Sequence, residues 1–272
     1  MSIVDPGLTI GAVIGVLLSG GFVYAEIGRY AEPQVPETLF DERKEVFGYT
    51  AGLFVGIPLA LAFLFFLDSM ANGALLGALI FLVALVVGTE VAQYGLLRTH
   101  YWGTGESTPF YALGYRAGIA GIFALAIFAQ YIASTSVTWD GILFTLIESF
   151  AVLTLEIAGA LLSMPPSVAA GRKGGGPLQG ALFMAVGFFV LGVGALSGIS
   201  TVSDEIVAFA AVVIALAGGY LVYHRLRPML AAIPPPGGGR KPPPRERPAV
   251  YGRTTSPSVA AAEPDEAGTP LA

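Results

Sequence analysis

The chain has no cysteine and only two histidines, His100 and His224, among its 272 residues. The absence of cysteine excludes disulfide bonds, thiolate metal ligands and cysteine nucleophiles. Two histidines are too few for a three-histidine metal centre. No histidine-kinase, protease or glycosyltransferase signature is present either. The sequence therefore predicts no catalytic residues, no metal site and no cofactor, and it favours a protein that is not an enzyme.

Charge is also scarce, since only 12% of the residues are charged and 54% are hydrophobic. An ordinary soluble domain has roughly 25% charged residues. So many apolar residues cannot be buried in one soluble core of this size, but a lipid bilayer can solvate them. The composition therefore indicates an integral membrane protein that is embedded in the lipid bilayer. No nucleic-acid partner is expected.

Seven apolar runs are each long enough to cross a bilayer, because a helical span needs about 20 residues at 1.5 Å rise per residue. The runs are 7–25, 48–67, 73–97, 112–133, 139–162, 178–199 and 204–223. They predict an all-α fold, a polytopic membrane helix bundle with seven transmembrane helices. The segment before the first run carries Asp5 and no basic residue, which is not typical of a cleaved signal peptide, so we expect a retained span.

The basic residues predict the orientation of these spans. Lys and Arg are missing before the first run and from the second, fourth and sixth connections. All 14 basic residues lie in or beside the other three connections and in the carboxyl-terminal tail. Because basic loops stay in the cytoplasm, the amino terminus should lie outside and the carboxyl terminus inside. We expect a multi-pass protein of the cell membrane.

The composition changes after residue 224. Residues 1–224 hold the predicted seven-helix domain, whereas residues 225–272 are rich in Pro, Gly and Arg, with proline triplets at 234–236 and 242–244. Such a segment cannot bury enough apolar surface to fold, so a disordered cytoplasmic tail is predicted. Its basic residues should contact anionic lipid headgroups. The candidates are Arg225, Arg227, Arg240 and Lys241.

Small residues recur every four positions in the first two runs. These are Gly7, Gly11, Gly15 and Ser19 in the first run, and Gly48, Gly52 and Gly56 in the second. Stripes of this kind let helix backbones approach closely. Contacts within one chain are the favoured interpretation, and the alternative is a homo-oligomer formed through the stripes.

Two further segments carry apolar side chains near the inner interface. Leu39, Phe40, Arg43, Val46 and Phe47 recur at helical spacing, which predicts a short helix lying on the membrane surface; a partner-docking helix is the alternative. The connection 98–111 is aromatic and predicts an interfacial belt, with a substrate mouth as the alternative. Its aromatic residues are Tyr101, Trp102, Phe110 and Tyr111.

Three carboxylates lie inside predicted spans, and they are the candidate functional groups. Glu148 is about 14 Å from the start of its span, near mid-membrane, whereas Glu90 and Glu156 both lie about 10 Å from the cytoplasmic end. Glu90 and Glu156 would meet if the third and fifth runs are neighbours. Gln93 shares the polar face of Glu90.

Polar and small residues on the fifth run form a narrow stripe that should face the bundle interior. The stripe comprises Thr145, Glu148, Ser149, Val152, Glu156, Gly159 and Ser163. A carboxylate at the bilayer centre costs about 2.5–3.5 kcal/mol. No basic residue lies in the middle of any predicted span, so protonated or cation-paired carboxyls are favoured over salt bridges. The favoured interpretation of these carboxyls is structural, as hydrogen-bond donors between helices, and a proton- or cation-linked role comes first among the functional interpretations.

These residues favour a proton- or cation-linked small-solute transporter that uses Glu90, Gln93, Glu148 and Glu156. The alternative is a non-enzymatic membrane sensor or scaffold acting through its cytoplasmic loops and tail. An intramembrane enzyme is third. A retinal protein is excluded because the last run, 204–223, has no lysine for a Schiff base.

Overall fold

The computed structural model describes residues 6–30, 35, 40–102, 107–134, 138–164, 176–197, 202–230 and 233. Over those residues it contains seven α-helices, two short 3-10 helices, at His100–Trp102 and Arg227–Met229, and no strand. The α-helices are α1 Pro6–Tyr30, α2 Glu42–Ala71, α3 Leu75–Leu97, α4 Thr108–Ser134, α5 Trp139–Ser163, α6 Pro177–Ser197 and α7 Val202–Leu226. Each corresponds to one apolar run, so the predicted all-α bundle is confirmed.

Six of these helices are long and apolar enough to cross a membrane. The exception is α6, whose apolar stretch within the described side chains is the shorter segment Pro177–Val193. The orientation of the bundle in the bilayer stays a prediction from the charge pattern.

Helix α4 is the most enclosed helix of the bundle. It contacts α1, α2 and α5 extensively and α3 less so. In its most apolar stretch 83% of the residues are buried, against 50% or less in the other five spanning helices. A helix that has protein on most sides can carry polar residues away from lipid, and α4 is therefore the helix on which a buried site can be built.

The small residues of α1 and α2 pack against α4 of the same chain. A Cβ at Gly11 would lie 2.6 Å from the backbone oxygen of Leu125, and one at Gly56 would lie 3.0 Å from Ile122 Cβ. The predicted contacts within one chain are therefore present. A homo-oligomer would need a different surface, and it stays a prediction.

The membrane-surface helix predicted around Arg43 is wrong. Asp41 is the N-cap of α2 and accepts a hydrogen bond from the Arg43 backbone nitrogen at 2.9 Å, so Arg43 belongs to the first turn of the spanning helix. Phe40 is buried rather than membrane-facing. The helical spacing of these residues is explained by α2 itself, which runs from Glu42 to Ala71 without a break.

Loss of this cap should be measurable. Replacement of Asp41 with alanine removes the acceptor for the first turn of α2 and should cost about 1 kcal/mol of stability. Asp41→Asn should retain most of it, because the amide oxygen can accept the same hydrogen bond. Unfolding in mixed detergent micelles would test both, and equal stability of the alanine and asparagine variants would contradict a capping role.

The aromatic residues of the connection between α3 and α4 form a buried cluster, not an interfacial belt. Trp102, Phe110 and Tyr111 are buried, and only Tyr101 is exposed. Phe110 packs edge-on against Tyr30 of α1 with 5.2 Å between ring centroids. The predicted belt is therefore wrong for three of its four members, because Tyr30 of α1, Phe40 and the first turns of α2 cover them.

The carboxyl-terminal end of the bundle extends past residue 224. Helix α7 continues to Leu226, and Leu230 and Ile233 are buried. Residues Met1–Pro236 form one compact unit. The rest of the predicted tail, with Arg240 and Lys241, lies outside the described residues, and its disorder stays a prediction.

Candidate functional site

A fully buried arginine, Arg116, lies at the centre of the candidate site. Its Nη2 atom donates to Glu90 Oε1 at 2.6 Å, and its Nη1 atom donates to Glu156 Oε2 at 2.9 Å. The Nε atom donates to Gln93 Oε1. We call Glu90, Arg116 and Glu156 the buried triad.

Three helices supply the triad, and glycines on α5 and α6 let a fourth helix, α6, approach it closely. Glu90 comes from α3, Arg116 from α4 and Glu156 from α5. The Ser163 hydroxyl on α5 donates to Glu90 Oε1 at 2.7 Å, which joins α3 to α5. Glycines at 159 and 180 leave room for α6, because a Cβ at Gly159 would lie 2.6 Å from Met184 Sδ. The expected meeting of Glu90 and Glu156 therefore occurs, through Arg116.

The expectation that no basic residue would neutralise these glutamates is wrong. In the sequence, Arg116 lies near the start of the fourth run, beside the third connection, where a long side chain can reach the interface. The structure instead turns it inward, and Met184 also packs against its guanidinium. The sequence does carry one indication that Arg116 is buried. Arg116 lies four residues inside the run 112–133, which is about 6 Å into the span by helical rise.

The triad has an imbalance of charge. Two carboxylates face one guanidinium, and arginine stays protonated in proteins, so the ionised triad carries one excess negative charge. Three buried polar atoms there have no hydrogen-bond partner: Glu90 Oε2, Gln93 Nε2 and Glu156 Oε1. An uncompensated buried charge is costly, so the site favours uptake of one positive charge.

Glu148 does not belong to the triad. It lies eight residues before Glu156 on α5, about 12 Å along the helix axis. It is half-buried, and the described residues offer it no hydrogen bond or ion pair. The structure thus brings together three of the four predicted site residues, Glu90, Gln93 and Glu156, and leaves Glu148 apart.

The two lipid-headgroup candidates within the described residues lie at the end of α7. Arg225 is exposed, whereas Arg227 is half-buried with its guanidinium 5.9 Å from the centre of the Tyr223 ring. Among the described residues, no group of three or more His, Cys, Asp or Glu side chains is placed to hold a metal ion.

Comparison with protein-family models, with curated proteins and with solved structures finds no match for this chain. The fold defines its class as a multi-pass membrane protein of the all-α type with a charged triad inside the bundle. Any more specific function has to be inferred from the site itself.

Proposed function

We propose that the protein is a proton- or cation-linked small-solute transporter in the cell membrane, and that the buried triad binds the coupling ion. The observation that carries the proposal is the sharing of one guanidinium by two fully or nearly fully buried carboxylates. Ionisable groups buried in a membrane bundle are expensive and are characteristic of ion and proton pathways. One proton or monovalent cation would make this triad neutral.

Within the triad, Glu156 is the better acceptor of a proton. Glu90 Oε1 receives two hydrogen bonds, from Arg116 and from Ser163, whereas Glu156 receives one from Arg116. Hydrogen bonds donated to a carboxylate favour its ionised form. Glu90 should therefore remain paired with Arg116, while Glu156 gains and loses the ion.

Glu156→Gln should abolish ion-linked uptake, because an amide keeps the size of the side chain but can no longer take up a proton. Proteoliposomes containing the full chain would be given an inward proton gradient, with and without Na⁺, and internal pH and internal Na⁺ would both be recorded. Glu148→Gln is the matched control, since it makes the same change on the same helix outside the triad, and it should retain most of the uptake.

Two results would contradict the proposal. One is parent protein that moves neither H⁺ nor Na⁺ in this assay. The other is a folded Glu156→Gln variant that is as active as Glu148→Gln, because the triad would then serve only as a link between helices.

Contacts with anionic lipid heads through Arg225, Arg227, Arg240 and Lys241 belong to the same proposal, since they would fix the cytoplasmic end of the bundle at the membrane surface. The sensor or scaffold alternative depends on loops and a tail that lie largely outside the described residues, and no contact among the described residues favours it.

A further inference from the structure

A second buried carboxylate, Glu45 on α2, has no counter-charge. Glu45 is 1% exposed, and neither of its carboxylate oxygens has a hydrogen-bond partner. It lies against the backbone of α4 at Gly114, where a Cβ would come within 2.6 Å of Glu45 Oε1. The absence of a side chain at Gly114 therefore creates the space in which this carboxylate is held.

Glu26 on α1 is the neighbouring acid. It is also 1% exposed. Its Oε1 atom accepts hydrogen bonds from Arg29 Nη1 at 2.5 Å and from the Tyr223 hydroxyl at 2.7 Å. Its Oε2 atom has no partner. Arg29 and Arg227 both act electrostatically on Glu26, so its charge is offset on one side while its second oxygen stays unused.

The register of α1 against α4 places both acids at one level. Ser19 packs on Gly121, and Tyr30 packs on Phe110. Ser19 and Tyr30 precede and follow Glu26 on α1, and their partners Gly121 and Phe110 lie on either side of Gly114 on α4, as expected for antiparallel helices. Glu26 therefore lies within about one helical turn of Gly114, which is the residue that Glu45 contacts.

Electrostatics agree with this placement. Among the described residues, Glu26 acts electrostatically on Glu45 with the same sign, and the Gly114 backbone amide and the Tyr111 phenol also face Glu45 from α4. The Tyr30 phenol faces Glu26. Three carboxylate oxygens without partners therefore lie between α1, α2 and α4. Hard oxygen ligands of this type bind protons and small cations.

We infer that Glu45 and Glu26 form a second ion site, which binds one monovalent cation, either H⁺ or Na⁺. Gly114 and Arg116 are two residues apart on α4, about 200° around the helix, so this site and the triad occupy opposite faces of α4. The inference does not depend on the transport proposal, because binding at this site can be measured without any flux.

The test is the thermal stability of the full chain in detergent. Tm would be recorded from pH 5 to pH 9 without Na⁺, and then at pH 9 with increasing Na⁺, for the parent and for Glu45→Gln. A folded state that holds a proton releases it on unfolding, so a bound proton makes the parent Tm fall as pH rises. Bound Na⁺ raises the parent Tm at pH 9 by about 3–6 °C for each tenfold increase above its Kd.

Glu45→Gln should weaken whichever dependence the parent shows, since its side chain is neutral at every pH, and any dependence that remains belongs to the triad. Glu42→Gln is the matched control, because Glu42 is exposed on the same turn of α2, and it should behave like the parent. Glu156→Gln should retain the part of the dependence that Glu45→Gln loses, which separates this site from the triad.

Equal pH and Na⁺ dependence in Glu45→Gln and Glu42→Gln would overturn the inference. Should Glu45→Gln fail to fold, Glu26→Gln decides the matter, because it removes the second oxygen donor while Glu45 stays in place. An unchanged response to both ions in Glu26→Gln would then overturn the site.

Discussion

Replacement of Arg116 with methionine is expected to lower the free energy of unfolding by about 3–5 kcal/mol, because it leaves Glu90 and Glu156 buried without a counter-charge. Methionine is shorter than arginine but unbranched and flexible, so it can fill part of the space and most of the loss should come from the missing charge. Unfolding of the purified chain in mixed micelles would measure it. Arg98→Met is the control, since Arg98 is exposed, and its effect should stay within about 0.5 kcal/mol.

A rescue experiment separates charge from packing. When Arg116→Met is combined with Glu90→Gln and Glu156→Gln, the site contains no formal charge, and most of the lost stability should return. Replacement of whole buried ion pairs by neutral groups is often neutral or stabilising. A triple variant as unstable as Arg116→Met alone would show that arginine acts through its shape and not through its charge.

Gly52→Ala is the second substitution that should lower the free energy of unfolding substantially. A Cβ at Gly52 would meet the backbone of α4, with Gly118 Cα at 3.1 Å and the carbonyl group of Tyr115 closer still. Backbone atoms in a packed helix cannot yield as a flexible side chain would, so α2 and α4 must move apart. The expected cost is about 1–3 kcal/mol, despite the better helix propensity of alanine.

The matched control for that change is Gly21→Ala on α1. A Cβ at Gly21 meets nothing within 4 Å, so this variant should gain up to about 1 kcal/mol from helix propensity alone. The two substitutions are chemically identical and differ only in their surroundings. Equal stability of Gly52→Ala and Gly21→Ala in the same unfolding assay would contradict the close packing of α2 on α4.

Both candidate ion sites depend on α4, because it separates them and contributes to each. It supplies Arg116 to the triad on one face and the bare backbone of Gly114 to Glu45 on the other. Four buried acids, Glu26, Glu45, Glu90 and Glu156, thus surround one enclosed helix. The transport assay can also be run on Glu45→Gln. A change in proton uptake relative to the parent would show that ions pass between the Glu45 site and the triad.

Much of the architecture was readable from the sequence because bilayer crossing imposes a length and an apolarity that each span shows separately. The seven runs are seven helices in the structure. The stripes of small residues that include Gly11 and Gly56 form contacts between helices. For the site, depth along each span correctly predicted that Glu90 and Glu156 could meet. Those properties follow from one helix at a time, without knowledge of its neighbours.

The partner of those two acids was decided only by tertiary structure. Arg116 could reach the membrane surface or turn inward, and the choice depends on α3, α5 and α6 closing around it. The same holds for Trp102 and Tyr111, which are covered by Phe40 and the start of α2, and for Glu45, whose position depends on the packing of α2 against Gly114. A single sequence specifies which side chains a helix carries. The pairing and protonation of those side chains depend on the groups that other helices place beside them, because a buried charge is stable only with its partner.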